Sequence, residues 1–335
     1  MKIGDANKLS LLDRAYRAAT NNKKFFNNGV GDKLYLESLF AQVDNIPLPQ
    51  KVEISFGKTQ KYFGIQATEA TFVSPQKNIL PAESRVAHFK IILPENADKS
   101  TPLVLHMPGT GDIGFKRREV FLAIPLAKQG IGSIILESPY YGLRKPHDQE
   151  GMYIQEASDL FKMVHANFEE GRAIVEHFKD HFDTIGVTGF SMGGQTSIMI
   201  GLNHPSVSAL IPCVAPHSPI PVFIEETLKD SINWRALELD LIAEGVSPTE
   251  YLSRFFAVSD MTTFPRIHLP PSREIIAAEG DAYVPKRSAE LISKALKDTS
   301  ITWIDGGHVS ALVLESSVVR EKIKTAMLRA KNLYT

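Results

Sequence analysis

The pentapeptide Gly189-Phe190-Ser191-Met192-Gly193 constrains this chain more than any other stretch. It follows the apolar run Thr184-Ile185-Gly186-Val187-Thr188 and precedes a segment, Gly194 to Leu202, that can wind as a helix. A strand that turns this sharply into a helix leaves no room for bulky Cβ atoms beside the serine, so small residues must flank it. The turn then pushes Ser191 out at the top of a sheet, where its hydroxyl can act as a nucleophile. The competing reading is a glycine-rich helix start in which Ser191 is only an N-cap.

A serine nucleophile needs a base, and the base needs a group to orient it. On a strand–turn–helix scaffold of this type they follow the serine in the order acid, then histidine. His204, His217 and His268 all precede the candidate acid, which leaves His308. The run Ser300-Ile301-Thr302-Trp303-Ile304 reads as a strand, and Asp305-Gly306-Gly307-His308 leaves it in a glycine-rich turn. His217, in Pro216-His217-Ser218-Pro219, would break the chain order and is expected to be a substrate contact at most. For the acid, Glu274-Ile275-Ile276-Ala277-Ala278 is an apolar run suited to a buried strand, and Asp281 lies in the turn that follows. A carboxylate there can accept from one imidazole nitrogen and hold the other toward the serine. Asp305 and Glu279 are the alternatives, although Asp305 is so close to His308 that it suits a turn better.

Acyl transfer also needs two backbone N–H donors for the oxyanion. Met192, the residue after the nucleophile, supplies one. The other is expected in the loop Met107-Pro108-Gly109-Thr110-Gly111-Asp112, after the strand Leu103-Val104-Leu105-His106. Pro108 has no N–H, so the donor lies later, at Thr110 or, failing that, Gly111. The same loop invites a phosphate-binding reading, but Phe115 rather than lysine follows Gly114, and the pattern fails.

From Pro102 onward strands and helices alternate. Strands are expected at 103–106, 132–137, 184–189, 206–214, 274–278 and 300–304, and helices at 115–128, 154–181, 194–202, 286–297 and 309–331. This order implies an α/β fold with a mostly parallel sheet covered on both faces, its strand C-termini gathered at one edge. Residues 1–100 form an amino-terminal extension. It holds a helix over Leu9 to Thr20, a second over Asp32 to Val43, and strands over Lys51 to Val73 and Arg85 to Leu93. Residues 101–217 and 271–335 make the core. Residues 218–270 interrupt the alternation and should carry helices of their own. Their load of Phe223, Trp234, Leu237, Leu241, Phe255 and Phe256 suits a helical lid or cap over a pocket, with Trp234 a candidate substrate contact.

The turn Glu137-Ser138-Pro139-Tyr140-Tyr141-Gly142-Leu143-Arg144-Lys145-Pro146 leaves the same sheet edge. Tyr140, Tyr141 and Arg144 could hold an anionic or sugar-bearing substrate group. Equally, Tyr140 packs and Arg144 pairs with a nearby acid such as Asp112.

A formal net charge of -1 predicts no strong field for nucleic acid or membranes. The single cysteine, Cys213, sits in an apolar run and cannot form an internal disulfide. No run reaches the length of a membrane span, and Met1 to Ser10 lacks the apolar core of a signal peptide. A soluble cytoplasmic protein is expected, with no metal, no cofactor and no nucleic-acid partner. Its oligomeric state is left open.

Ser191 in its turn, with Asp281 and His308 in order, resembles the α/β-hydrolase superfamily. Gly109-Thr110-Gly111-Asp112, the stretch from Pro139 to Pro146 and Gly189-Phe190-Ser191-Met192-Gly193-Gly194 are similar to the abhydrolase-domain-containing 18 family, as are Leu12-Asp13-Arg14 and Phe25-Phe26. The resemblance runs over nearly the whole chain. It implies an α/β-hydrolase fold and hydrolysis of an ester, thioester or amide through an acyl-enzyme, with a small-molecule acyl ester, lipid-like ones included, as substrate. Common hydrolases carry a His-Gly oxyanion motif that this chain lacks, which puts the second donor in doubt. Peptidase or amidase action, acyl transfer to an alcohol, and a non-catalytic ligand-binding role are the rival expectations.

Overall fold

The structure, a computed structural model, describes Ser10, Asp13 and residues 23–333. Apart from Ser10 and Asp13, the helix expected over Leu9 to Thr20 lies outside the described residues.

Among the described residues eleven strands form one sheet: β1 (Ser55–Phe56), β2 (Gln60–Tyr62), β3 (Ile65–Val73), β4 (Val86–Pro94), β5 (Leu103–Met107), β6 (Gly132–Leu136), β7 (Ile185–Phe190), β8 (Val207–Cys213), β9 (Ser272–Arg273), β10 (Ile275–Ala278) and β11 (Ile301–Ile304). Their order is β1-β3-β4-β6-β5-β7-β8-β10-β11, with β2 paired to β3 and β9 to β8. Pairing is parallel from β6 through β11, whereas β4 meets β6 antiparallel. The residue pattern explains the split. Leu103–Met107 and Gly132–Leu136 are buried throughout, as expected of strands covered on both faces. Ile65–Val73 alternates buried and more exposed positions, the habit of an antiparallel strand with one dry face. The single strand expected over Lys51 to Val73 is instead three. Its last break is the turn at Phe63 and Gly64, both at positive φ (51° and 78°), which reverses the chain into a hairpin.

Helices α1 (Lys33–Asp44), α2 (Ala157–Phe178), α3 (Met192–Leu202), α4 (Trp234–Leu241), α5 (Pro248–Phe256), α6 (Lys286–Ala295), α7 (His308–Val313) and α8 (Ser316–Asn332) complete the regular structure. A helical stretch also runs through Lys116–Arg118 and Ile124–Ala127, with a π-helical turn between them at Glu119–Ala123. Phe168, Ile174 and Val175 of α2, Ile198 of α3 and Ile292 of α6 pack on one face of the sheet. Leu122 and Leu126, with Val319, Ile323 and Met327 of α8, cover the other. The helix expected over 309–331 is broken into α7 and α8.

A second apolar core sits over the C-terminal sheet edge. It joins Phe25 and Phe26, the first half of α2, and Val222, Phe223, Phe255 and Phe256 from the segment between β8 and β9. Backbone bonds stitch these parts together: Phe25 N–H donates to Ser231 O at 2.7 Å, and Asn233 N–H donates to Phe25 O at 2.9 Å. The same segment builds α4 and α5 with side-chain caps at both N-termini, Asn233 accepting from Ala236 N–H and Ser247 from Glu250 N–H.

Candidate active site

Ser191 lies where β7 turns into α3, with φ 56° and ψ -122°. That backbone region is costly for a residue with a Cβ, and such strain is held only where the surroundings impose it. Here they do. A Cβ on Gly189 would overlap the Gly193 backbone, and one on Gly193 would overlap the Met107 carbonyl. Ser191 N–H donates to Cys213 O of β8 at 3.0 Å, which pins the turn to the neighbouring strand. Ser191 stands at the N-cap of α3, yet its side chain makes no capping bond. The hydroxyl is therefore not consumed by the helix start.

His308 opens α7, directly after the turn that follows β11. Its Nδ1 pairs with Asp281 Oδ2 at 2.8 Å. Asp281, in the turn after β10, accepts on Oδ1 from Tyr283 N–H and Val284 N–H, each at 2.8 Å. These bonds fix the carboxylate and, through it, the ring. The alternatives are placed elsewhere: Asp305 is exposed, and Glu279 forms an ion pair with Lys286. Burial lowers the basicity of His308, but the charge and hydrogen bond of Asp281, with a further contribution from Asp13, raise it above its ordinary value. The Tyr283 ring packs against the imidazole with centroids 5.2 Å apart.

Ser191 and His308 face one cavity of about 750 Å³. Thr110, Met192 and Gln195 line the same cavity, and Thr110 Oγ1 donates to Met192 Sδ at 3.7 Å. Gly111 does not reach the cavity wall, whereas Gly109 does. Most of the remaining lining is apolar, with Phe25, Leu160, Phe161, Phe223, Phe255 and Phe256 among it, while Gln42, Asn45, His165 and Glu169 also face the cavity. The loop from Gly109 to Gly114 is anchored by Arg118. That side chain is buried, donates to His106 O, Leu136 O and Gly114 O, and forms an ion pair with Asp112.

The other expected substrate contacts are not brought to this cavity. Tyr140 is buried and donates its hydroxyl proton to Asp159 Oδ1 at 3.0 Å; Tyr141 donates to Met152 O at 3.2 Å. Arg144 is fully buried and bidentate to Glu170, at 2.8 and 2.5 Å, so its acid is Glu170 and not Asp112. His217 pairs through Nδ1 with Ser288 Oγ at 2.9 Å, and Trp234 donates from Nε1 to Lys229 O at 2.8 Å. Cys213 is buried, and burial pushes its thiol up to about 12. Asp13 went unassigned in the sequence. Its carboxylate accepts from the His308 and Val309 amides, each at 2.8 Å, and from Ala282 N–H at 3.1 Å. Among the described residues there is no group of three or more metal-ligating side chains, and no helix is long and apolar enough to cross a membrane.

The strand order, with parallel strands ending at a serine turn, an acid turn and a histidine turn, defines the α/β-hydrolase fold. Solved structures share it at low identity. An acetyl xylan esterase from Paenibacillus sp. R4 is 14% identical with a TM-score of 0.56, over 92% of this chain and 98% of that one. Acetyl xylan esterase 1 from Thermoanaerobacterium sp. JW/SL YS485 is 12% identical with a TM-score of 0.51, over 91% and 98%. A prolyl endopeptidase is 11% identical with a TM-score of 0.56, over 80% of this chain and 39% of the peptidase. Within that class, the family described as alpha/beta hydrolase domain containing 18 matches residues 23–252 and 250–329. The chain belongs to this family.

Proposed function

We propose that the protein is a serine hydrolase that cleaves a carboxylic ester with an apolar acyl group through an acyl-enzyme. The observation that carries the reading is the 2.8 Å pair of His308 Nδ1 and Asp281 Oδ2, held over the same cavity as a serine at φ 56°. In this reaction Ser191 Oγ attacks the acyl carbon while His308 Nε2 takes the hydroxyl proton. The imidazolium, paired with Asp281, then gives that proton to the leaving alkoxide, and the C–O bond breaks. Water attacks the acyl-enzyme with His308 again as base, and the free acid departs. The Met192 amide and one from the Gly109–Gly111 loop, with Thr110 the first choice, donate to the oxyanion; each is worth about 3 kcal/mol.

The apolar walls favour a hydrocarbon acyl chain over a sugar or a peptide. Each methylene taken from water contributes about 0.8 kcal/mol, or up to about fourfold in affinity. A series of p-nitrophenyl esters from acetate to dodecanoate, with matched anilides, tests this. The expected result is a kcat/KM that climbs with chain length, esters far ahead of anilides, and no turnover by Ser191→Ala or His308→Ala. Anilide cleavage at the ester rate would favour a peptidase or amidase. Tight retention of the esters without turnover would favour a binding protein.

A further inference from the structure

Asp13 takes no part in the steps just described, yet it touches both loops that carry them. Its side chain is fully buried. Oδ2 accepts from His308 N–H at 2.8 Å and from Ala282 N–H at 3.1 Å, and Oδ1 accepts from Val309 N–H at 2.8 Å. His308 and Val309 open α7, whose first amides need acceptors that the helix itself does not supply. Ala282 directly follows Asp281. One carboxylate thus joins the base loop to the acid loop. The fit is close, because a Cβ on Gly307 would overlap both Asp13 Oδ2 and Ser10 Cβ. Ser10 N–H donates in turn to Gly280 O at 3.1 Å, so Ser10 also contacts the acid loop.

We propose that Asp13 is a positioning residue: it clamps the Asp281 and His308 loops together and holds the imidazole in register with Ser191. The proposal rests on the reading of Ser191, Asp281 and His308 as a catalytic set. A carboxylate is the right group, because it accepts at several points while its charge favours a helix N-terminus and a protonated imidazole nearby. The same charge contributes to the raised basicity of His308, after Asp281.

The test uses the full chain as wild type, Asp13→Asn and Gly307→Ala. Asparagine keeps the size but removes the charge and turns an amide group toward backbone donors. Gly307→Ala keeps the charge and displaces the carboxylate. The rate of Ser191 labelling by a fluorophosphonate is measured against pH, normalised to the folded fraction, and the His308 ring resonance is titrated by NMR. Asp13→Asn is expected to label about 10- to 100-fold more slowly than wild type. Its acid limb and its imidazole titration should both move to lower pH. Gly307→Ala should slow labelling in the same direction with the titration near wild type. A variant that melts at lower temperature but labels at the wild-type rate with an unmoved titration would overturn the proposal, leaving Asp13 a structural cap. If Asp13→Asn does not fold, a wild-type labelling rate in Gly307→Ala overturns it alone. Failure of wild type to label at all strikes the catalytic reading instead. In that case the imidazole titration still decides whether Asp13 acts on His308.

Discussion

Under the proposed mechanism His308 has two tasks, one for each ring nitrogen. Nδ1 is tied to Asp281 Oδ2, and in the proposed mechanism Nε2 is the nitrogen that serves Ser191. As a base it must be neutral, and its basicity is raised above the ordinary value of 6.5. In the proposed mechanism, protonation of the ring below that raised value blocks acylation, and acylation proceeds above it. The kcat/KM profile should therefore show an acid limb with its midpoint above 6.5, read from initial rates with a short soluble ester. A midpoint below that value would mean that burial outweighs the Asp281 charge. The placement of Ser191, Asp281 and His308 at the ends of β7, β10 and β11 was legible in the sequence, because each follows a recognisable apolar strand. Asp13 was not. Its three amide partners lie 269 to 296 residues away, and a local pattern carries no trace of such a contact.

At the element scale, the packed reading of the 137–146 turn describes Tyr140 and Arg144, but the partner acid is Glu170 and not Asp112. The turn leaves the expected edge but folds inward, and Arg144 ends between the turn and α2. There it donates to Ser84 O and Glu137 O as well as to Glu170, with both charged side chains at 0% exposure. Whether a cation points to substrate or into the core depends on a tertiary acid, here in the middle of a helix that sequence alone shows only as amphipathic. Arg144→Ala leaves Glu170 buried and unpaired, which should cost about 3–5 kcal/mol of stability by urea melting. Replacing both partners with hydrophobic residues of similar volume should recover most of it. A single variant of wild-type stability and impaired ester binding would instead return Arg144 to the substrate. The hairpin of β2 and β3 was missed for a simpler reason. A turn with Phe63 at φ 51° is not encoded by the residue type that occupies it.

At the scale of the molecule, the sheet core follows from alternation, and the second core follows from what must cover its C-terminal edge. The alternation of strands and helices from Pro102 made the first legible. The second joins residues 23–44, α2 and the segment between β8 and β9, so its pairing is non-local and visible only in the fold. Phe25 bonds to both Ser231 and Asn233, and Arg254 of α5 is bidentate to Glu37 of α1. Exposed pairs of that kind contribute little, so the shared aromatic packing dominates. Residues 23–44 and the segment between β8 and β9 should thus open as one cooperative body. Hydrogen exchange checks this: amides of 25–36 and 232–256 are expected to share one protection level. Much faster exchange in 232–256 alone would mark that segment as a lid that moves by itself.

The most direct test of the whole account is intact mass after treatment with a fluorophosphonate, followed by peptide mapping. One adduct per chain is expected, on Ser191, absent from Ser191→Ala and slowed in His308→Ala. A folded wild-type protein that takes up no label, or takes it up equally in Ser191→Ala, would contradict a catalytic serine at this turn.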